Sequence, residues 1–206
     1  NQISISDCVF ISNFNSELTN EEQFSISLGI GNFTMKNVTF TQKEENEEHY
    51  SYPIIFESLE ICDITFEQSR STYSSLIYIP EKENSAFKLD NLNFSECECK
   101  KYVIDINDDN VELTNINIEF NSTDNACGAI AIHSYGSISI CDSNFIHTNQ
   151  DEGSIFYNPS QASSNSNLDL DSCLFYETLG RSFHVNVPTS SDDNINVYRC
   201  TFEKCL

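Results

Sequence analysis

Three short acidic stretches are the first candidates for chemistry in this sequence. They are DINDDN at residues 105–110, EENEEH at 44–49 and SSDDN at 190–194. Carboxylate oxygens are ligands that Ca²⁺ prefers in proteins, so Asp105, Asp108 and Asp109 form a candidate Ca²⁺ site. The alternative for all three stretches is a solvated loop that binds nothing. No other cofactor is indicated.

The histidines do not predict catalysis. A catalytic triad needs a nucleophile, a base and an orienting acid that converge on one point. The four histidines are scattered along the chain with no nucleophile paired to them: His49, His133, His147 and His184. We therefore expect strand or surface histidines, and no catalytic residue is assigned.

Four asparagines lie in acceptor sequons for N-linked sugars, because Ser or Thr follows two residues later. They are Asn32, Asn37, Asn93 and Asn121. Such sequons also arise by chance in a chain rich in Asn and Ser. Asn93 and Asn121 are the better candidates, and an occupied site would indicate a secreted protein.

The charge balance excludes one class of partner. Ten Lys and Arg residues stand against 32 Asp and Glu residues, which gives a formal net charge of −22. A surface of this kind repels phosphate backbones, so nucleic acid is not an expected partner. The sequence also contains no apolar stretch of the 18 or more residues that a membrane-spanning helix needs, so we expect no direct membrane insertion in this segment.

A two-part pattern recurs along nearly the whole chain. Its first part ends at an apolar anchor, usually Phe, and the anchors are residues 10, 40, 66, 94, 118, 145, 175 and 202. The mean spacing is about 27 residues, a period typical of solenoids. Between the anchors lies a second apolar strand pattern, as in KYVIDIN at 101–107 and GAIAIHS at 128–134.

The residues around each anchor predict how the chain bends. The residues five and two positions before an anchor are apolar or small, so we expect both to point into the core. Their spacing of three, where a straight strand requires two, places a corner residue between them. These expected corner residues are Asp7, Asn37, Asp63, Asn91, Asn115, Asp142, Ser172 and Arg199. Asn and Asp suit corners because they tolerate left-handed backbone.

The predicted fold is therefore an all-β, single-stranded parallel β-helix of about eight coils. It spans residues 1–206 as one domain, with equivalent side chains stacked about 4.8 Å apart. A β-sandwich of ordinary hairpins is the alternative, although it would not need this repeat. Neither end carries a polar cap, so the expectation is a fragment of a longer repeat protein, with assembly through the solenoid ends as one outcome.

The nine cysteines lack the spacing of a four-ligand metal site. Cys173 and Cys200 occupy the same inward position of successive repeats, close enough for a disulfide by spacing alone. The odd count leaves at least one thiol free or paired outside the chain.

The motifs CGAI at 127–130, NFIHT at 144–148 and FISN at 10–13 resemble the GGAI and FxxN repeats of the polymorphic outer-membrane protein (Pmp) family and its Pmp-like surface relatives in microbial eukaryotes. The resemblance implies a right-handed β-helix displayed outside the cell, used for adhesion or antigenic variation. Because stacked repeats present long flat faces and loops, we expect a non-enzymatic extracellular or cell-surface module with a protein or carbohydrate surface partner.

Two other functions remain open at this point. Similar β-helices occur in pectin-cleaving lyases and hydrolases, which use clustered carboxylates with Ca²⁺ or a paired acid and base. The third alternative is a structural spacer or a component of a larger assembly. The expected module is non-enzymatic, and no single residue is expected to dominate its binding.

Overall fold

The structure is a computed structural model. It describes residues 2–12, 24–28, 32–42, 52–56, 60–71, 74–82, 86–120, 127–134, 136–150, 153–158, 167–186 and 194–205. Every regular element in these ranges is a β-strand. Within them, no helix is long and apolar enough to cross a membrane.

The first sheet contains most of the repeated anchor motifs. Its longest path consists of β1 (Gln2–Ser6), β4 (Asn32–Lys36), β7 (Glu60–Glu67), β10 (Phe87–Ser95), β13 (Asn110–Glu119), β15 (Ser137–Cys141), β19 (Asn167–Asp171) and β23 (Asn194–Tyr198). Three short strands continue it on one side: β16 (Asn144–Ile146), β20 (Leu174–Tyr176) and β24 (Thr201–Glu203).

Three further sheets complete the described architecture. The second sheet contains β2 (Val9–Ser12), β5 (Thr39–Gln42), β8 (Arg70–Ser71) and β11 (Glu98–Cys99). The third contains β3 (Phe24–Leu28), β6 (Tyr52–Phe56), β9 (Ile77–Ile79), β12 (Tyr102–Ile106), β14 (Gly128–Ile132), β18 (Ile155–Tyr157) and β22 (Phe183–Val185). The fourth pairs β17 (Asn149–Gln150) with β21 (Leu179–Gly180).

The strands pair in parallel and across repeats. For example, β10 pairs with β13 and β12 with β14, so each coil stacks on the coil one repeat away. This arrangement is a parallel β-solenoid, as the repeat predicts. Every strand of the third sheet coincides with one of the predicted second apolar segments.

The predicted corners are confirmed. All eight expected corner residues have a positive φ between 50° and 57°. They include Ser172 and Arg199, which rarely adopt left-handed backbone, so position in the coil imposes the bend there. Side chains at neighbouring corners also bond to each other, as in the 2.7 Å hydrogen bond from Asn91 Nδ2 to Asp63 Oδ1.

The core fills the bore of the solenoid. Phe66, Phe94, Phe145 and Phe175 are fully buried at the anchor position. Phe66 stacks on Phe94 with ring centroids 4.9 Å apart and an interplanar angle of 4°. Phe145 and Phe175 pack in a similar way, and Ile118 occupies the equivalent position between the two pairs, so the anchor column continues the backbone ladder inside the core.

The prediction that every anchor stacks on the next anchor is wrong between Phe40 and Phe66. Phe40 pairs with Ser71 and not with Phe66, while Met35 pairs with Phe66. An ion pair of 2.7 Å between Lys36 and Glu67 lies at this step. The motifs around Phe10 and Phe40 therefore do not align with the later anchor motifs, but with the residues that follow those motifs in the chain.

A second corner explains this shift. Positive φ also occurs at Gln68, Glu96, His147, Glu177 and Lys204. The motif around Asn37 stacks on this second corner, because the Asn37 N–H donates to the Glu67 carbonyl over 2.8 Å. Both corners have the same left-handed bend followed by an inward residue, so one sequence motif fits either.

Candidate functional site

Two of the three predicted Ca²⁺ ligands, Asp105 and Asp108, have other partners in the structure, and the carbonyl of the third, Asp109, accepts the Ser137 N–H over 2.6 Å. Asp108 is buried, and its two carboxylate oxygens accept the N–H groups of Lys82 and Asn110, each over 2.9 Å. Asp105 lies in β12 and faces His133. Within the described ranges, no group of three or more His, Cys, Asp or Glu side chains could hold a metal ion. Residues 44–49 and 190–193 lie outside these ranges.

The sequon asparagines occupy different environments. Asn93 lies in β10 between the buried Leu92 and Phe94, so its side chain points outward, where it donates to Asn91 Oδ1 over 3.4 Å. Asn37 is an exposed corner residue whose Nδ2 donates to Asp7 Oδ1 over 2.8 Å. Asn32 begins β4, and Asn121 lies outside the described residues. Glycosylation at all four stays a prediction.

The cysteines pair differently from the prediction. Cys173 and Cys200 have free thiols, and the disulfide in the described part joins Cys99 to Cys127 instead, with Cα atoms 5.6 Å apart. Cys173 Sγ contacts the Ile140 carbonyl at 3.5 Å, and burial raises its pKa to about 12. The 28-residue separation of the bonded pair is about one repeat, which is the signal that the sequence offered for it.

One outer surface gathers aromatic, basic and acidic side chains. We call it the aromatic face; it consists of Tyr102, Asp105, His133, Phe156, Arg181 and His184. The register of the third sheet builds it, because Asp105 pairs with Ala131, Ala131 with Phe156 and Phe156 with His184 in successive coils. Strand alternation points this row away from the core.

The rings of the aromatic face pack on one another. Tyr102 and Phe156 are stacked with centroids 6.3 Å apart, and they form a hydrophobic cluster with Ala131 that is separate from the core. A Cβ added to Gly128 would clash with the Tyr102 ring. Gly128 and Ala131 therefore create the recess in which the two larger rings lie, and this packing fixes their positions.

The polar groups of the face lie around these rings. His133 Nε2 is 3.5 Å from Asp105 Oδ1, and the His133 ring meets the edge of Phe156. Arg181 Nη1 is 3.1 Å from His184 Nδ1. Since a guanidinium can only donate, the His184 ring nitrogen accepts. The face thus places hydrogen-bond donors and acceptors around the packed rings of Tyr102 and Phe156.

The face differs in accessibility from centre to rim. Phe156 is 6% exposed, whereas the His133 side chain is 33% exposed and Arg181 is exposed. A ligand would therefore contact the rim residues His133, Arg181 and His184 directly. The rings beneath would support these side chains more than they would contact the ligand.

The second corner carries a ladder of charged side chains. His147 Nε2 is 2.9 Å from Glu177 Oε2, and Lys204 Nζ donates to Glu177 Oε1 over 2.8 Å. The hydrogen bond from Lys204, with a second from His147, holds the pKa of Glu177 below its ordinary value. These contacts use the charges of neighbouring coils to stabilise the corner.

A polar cleft of about 330 Å³ lies on the second sheet and the second corner. Its lining residues are Asn37, Thr39, Gln68, Arg70, Glu96 and Glu98. Arg70 Nε donates to Thr39 Oγ1 over 3.1 Å, which holds the guanidinium against the strand. The cleft has no aromatic side chain, so the aromatic face is the stronger candidate for ligand binding.

Sequence reasoning missed the aromatic face. It assigned His133 and His184 to strands or surfaces one at a time, which is where they are, but did not align the outward positions of the second apolar segments. Writing YVIDIN (102–107), GAIAIHS (128–134) and RSFHVNV (181–187) one below another places Asp105, Ala131 and His184 in one column. No family model, curated protein or solved structure matches this chain.

Proposed function

We propose that this chain is a non-enzymatic binding module, extracellular or on the cell surface, whose aromatic face holds a carbohydrate or protein partner. The observation that carries the proposal is the convergence of His133, Arg181 and His184 around the packed pair of Tyr102 and Phe156. A rigid face with a few placed polar groups is what small-ligand recognition requires.

Carbohydrate is the ligand class that this chemistry favours. Sugar hydroxyls both donate and accept hydrogen bonds, and the rim of the face offers Arg181 as a donor and the ring nitrogens of His133 as donor or acceptor. The imidazole of His184, packed 5.2 Å from Phe156, offers a planar surface for the C–H side of a sugar ring. An extended glycan could cross several coils, because the coils repeat about every 4.8 Å.

The net charge favours a neutral or basic ligand. At a formal charge of −22 the protein repels polyanions at long range. A neutral oligosaccharide or one containing amino sugars avoids this repulsion. A neutral glycan would bind through the accumulated contacts of several coils, as the repeat predicts.

Binding to immobilised neutral oligosaccharides tests the proposal. The 206-residue chain is compared with Arg181→Ala and His184→Ala variants by surface plasmon resonance. Loss of one hydrogen bond from a charged donor is worth about 1.5 to 3 kcal/mol, so we expect Arg181→Ala to weaken binding about tenfold or more. Lys88→Ala is the matched control, because Lys88 is an exposed cation on the first sheet, 3.4 Å from Glu112.

Three outcomes would contradict the proposal. The first is no binding to any neutral glycan or to a panel of extracellular proteins. The second is equal weakening by Arg181→Ala and Lys88→Ala. The third is Ca²⁺-dependent release of new reducing ends or unsaturated sugars from polygalacturonate, which would favour the pectin-cleaving alternative.

Two finer features of the fold belong to the proposal. Eight strands in the longest path of the first sheet support eight coils, and the resemblance to Pmp repeats supports a right-handed sense and a surface location. An experimental structure would test the coil count and handedness. Intact mass before and after deglycosylation would test the location, since sugar on Asn93 or Asn121 requires a secretory route.

A further inference from the structure

His147 joins three successive coils at the second corner. It lies between β16 and β17 and has a φ of 56°. Its Nδ1 is 2.7 Å from the carbonyl oxygen of Phe120 in the coil before, and its Nε2 is 2.9 Å from Glu177 Oε2 in the coil after. The His147 side chain is 24% exposed, so the neighbouring coils enclose most of the ring.

Both groups that face the His147 ring are hydrogen-bond acceptors. A backbone carbonyl oxygen accepts and cannot donate, and the same holds for an ionised carboxylate. A neutral imidazole carries one N–H, so it can donate to only one of the two acceptors. The imidazolium carries an N–H on each ring nitrogen and can donate to both. Turning the ring over would place C–H groups against both oxygens and lose both hydrogen bonds.

The carboxyl of Glu177 is ionised in this arrangement. The hydrogen bond from Lys204, with a second from His147, holds the pKa of Glu177 below its ordinary value. Lys204 Nζ donates to Glu177 Oε1 over 2.8 Å, which leaves Oε2 to accept from His147. At neutral pH the carboxylate therefore has no proton that it could donate to Nε2.

Three other ionisable side chains lie on the coils around the ring. Lys204 bonds to the far oxygen of Glu177, and its positive charge disfavours a second cation at the ring. Tyr176 in β20 has its ring centroid 6.2 Å from that of the imidazole, and its hydroxyl accepts a hydrogen bond from Lys204. Glu119 at the end of β13 is exposed. The carboxylate of Glu177 and the formal net charge of −22 both favour the imidazolium.

We propose that His147 is held as the imidazolium and links three coils only while both of its ring nitrogens are protonated. Loss of one proton leaves either the Phe120 carbonyl or the Glu177 carboxylate without its donor, so the contact between two of the coils weakens. Because histidine changes its charge between about pH 5 and 8, this contact makes the second corner sensitive to pH. The inference goes beyond the proposed binding and does not depend on it.

The second corner also contains an uncharged equivalent of this contact. Gln68 has the same corner position with a φ of 50°, and its Nε2 donates to Glu96 Oε2 in the next coil over 2.7 Å. Glutamine therefore fits the backbone of the corner and supplies a donor to the carboxylate at every pH. His147→Gln is the matched variant, because it keeps one contact between the coils and removes the group that titrates.

Nitrogen NMR of the imidazole tests the protonation state directly. The 206-residue chain is labelled with nitrogen-15 in histidine, and the His147 signals are identified by their loss in His147→Gln. At neutral pH we expect both ring nitrogens to show the chemical shift of a protonated nitrogen. If the variant does not fold, through-bond correlations to the His147 backbone assign the same signals in the parent. An unprotonated ring nitrogen at neutral pH would overturn the proposal.

Hydrogen exchange measures the effect on the corner. The His147 N–H donates to the Tyr176 carbonyl over 3.0 Å, and the Glu177 N–H donates to the Glu203 carbonyl over 2.9 Å. The closed corner holds a proton that the opened corner releases as pH rises, so its stability decreases with rising pH. Loss of a hydrogen bond to a charged group changes an opening equilibrium about tenfold or more.

We therefore expect the protection factors of these two amides to fall about tenfold or more between about pH 5 and 8. The factors are corrected for the intrinsic dependence of exchange on pH. Protection in His147→Gln should not change over this range. An equal fall in the parent and in His147→Gln would contradict the proposal, because the fall would then have another cause.

Glu177→Gln gives an independent test of the two acceptors. The amide of a glutamine can donate to Nε2 as well as accept from it, so a neutral ring then has a partner on each nitrogen. We expect one unprotonated ring nitrogen at neutral pH in this variant. Glu112→Gln makes the same charge change beside Lys88 on the first sheet and should leave the His147 signals unchanged. Two protonated ring nitrogens in Glu177→Gln would overturn the proposal.

Discussion

Replacing Phe94 by alanine should be among the most destabilising single changes in this protein. Phe94 is fully buried in the middle of the solenoid and stacks on Phe66 with ring centroids 4.9 Å apart. Truncation of a buried Phe to Ala removes apolar contacts and leaves a cavity, at a typical cost of about 3 to 5 kcal/mol. That is a large share of the roughly 5 to 15 kcal/mol that stabilises a typical domain.

Phe202 provides a control with the same chemistry and the same register position. It stacks on Phe175 but is 50% exposed. About half of its surface is already in water, so the loss scales to about half of the value for a fully buried ring, roughly 2 kcal/mol. We therefore expect Phe202→Ala to cost about half as much as Phe94→Ala.

Urea unfolding followed by far-ultraviolet circular dichroism measures both losses. Solenoid coils contact only their neighbours, so Phe94→Ala should also broaden the transition by weakening the coupling between the two halves. Equal losses for the two variants would refute the assignment of Phe94 to the core and Phe202 to an end.

Three further predictions concern individual side chains. Cys99→Ser should lower the free energy of unfolding by about 3 to 4 kcal/mol, the value for a closed loop of 28 residues, measured by denaturation against the oxidised parent. Iodoacetamide labelling should modify the exposed Cys62 in the native state but Cys97 only after unfolding, because burial raises the pKa of the Cys97 thiol to about 12 and blocks access to it. Glu177→Gln should reduce stability at neutral pH but not at acid pH, measured by thermal melting. The Lys204 hydrogen bond lowers the folded-state pKa of Glu177, so its contribution is lost as pH falls through that value.

The repeat predicted the fold because the spacing of its inward residues restricts the backbone conformation at the corners. A spacing of three between inward residues requires one residue with left-handed backbone, and Asp63, Asn91 and Asn115 supply it with φ between 55° and 57°. The second apolar segments predicted the third sheet for a similar reason, since alternation assigns one face of each strand to the core. Local patterns of this kind need no knowledge of distant contacts.

The register shift could not be predicted in the same way. Asn37 and Gln68 both have positive φ, and each is followed by a buried residue, Val38 and Ser69. Asn37 carries the typical corner residue type and Gln68 does not. The sequence therefore assigned Asn37 to the first corner, whereas contacts between coils place it against the second.

The candidate site was harder still, because its residues come from coils that the sequence separates. Asp105 and His133 meet only when one repeat stacks on the next, and Phe156 joins them from a third coil. The sequence assigned Asp105 to a candidate Ca²⁺ site and His133 to a strand or the surface, so nothing in residue type brought them together. An alignment of the outward positions of successive segments is the sequence signal that groups these side chains on one face.

The modular contacts of a solenoid make glycan binding at the aromatic face separable from stability at the second corner. Arg181 belongs to the aromatic face, whereas Lys204 bonds to Glu177 at the second corner. Because stability and binding in such folds arise from neighbouring coils, Arg181→Ala should weaken glycan binding without changing the unfolding transition. Lys204→Glu should do the reverse, because it removes the hydrogen bond to Glu177 and leaves the aromatic face unchanged.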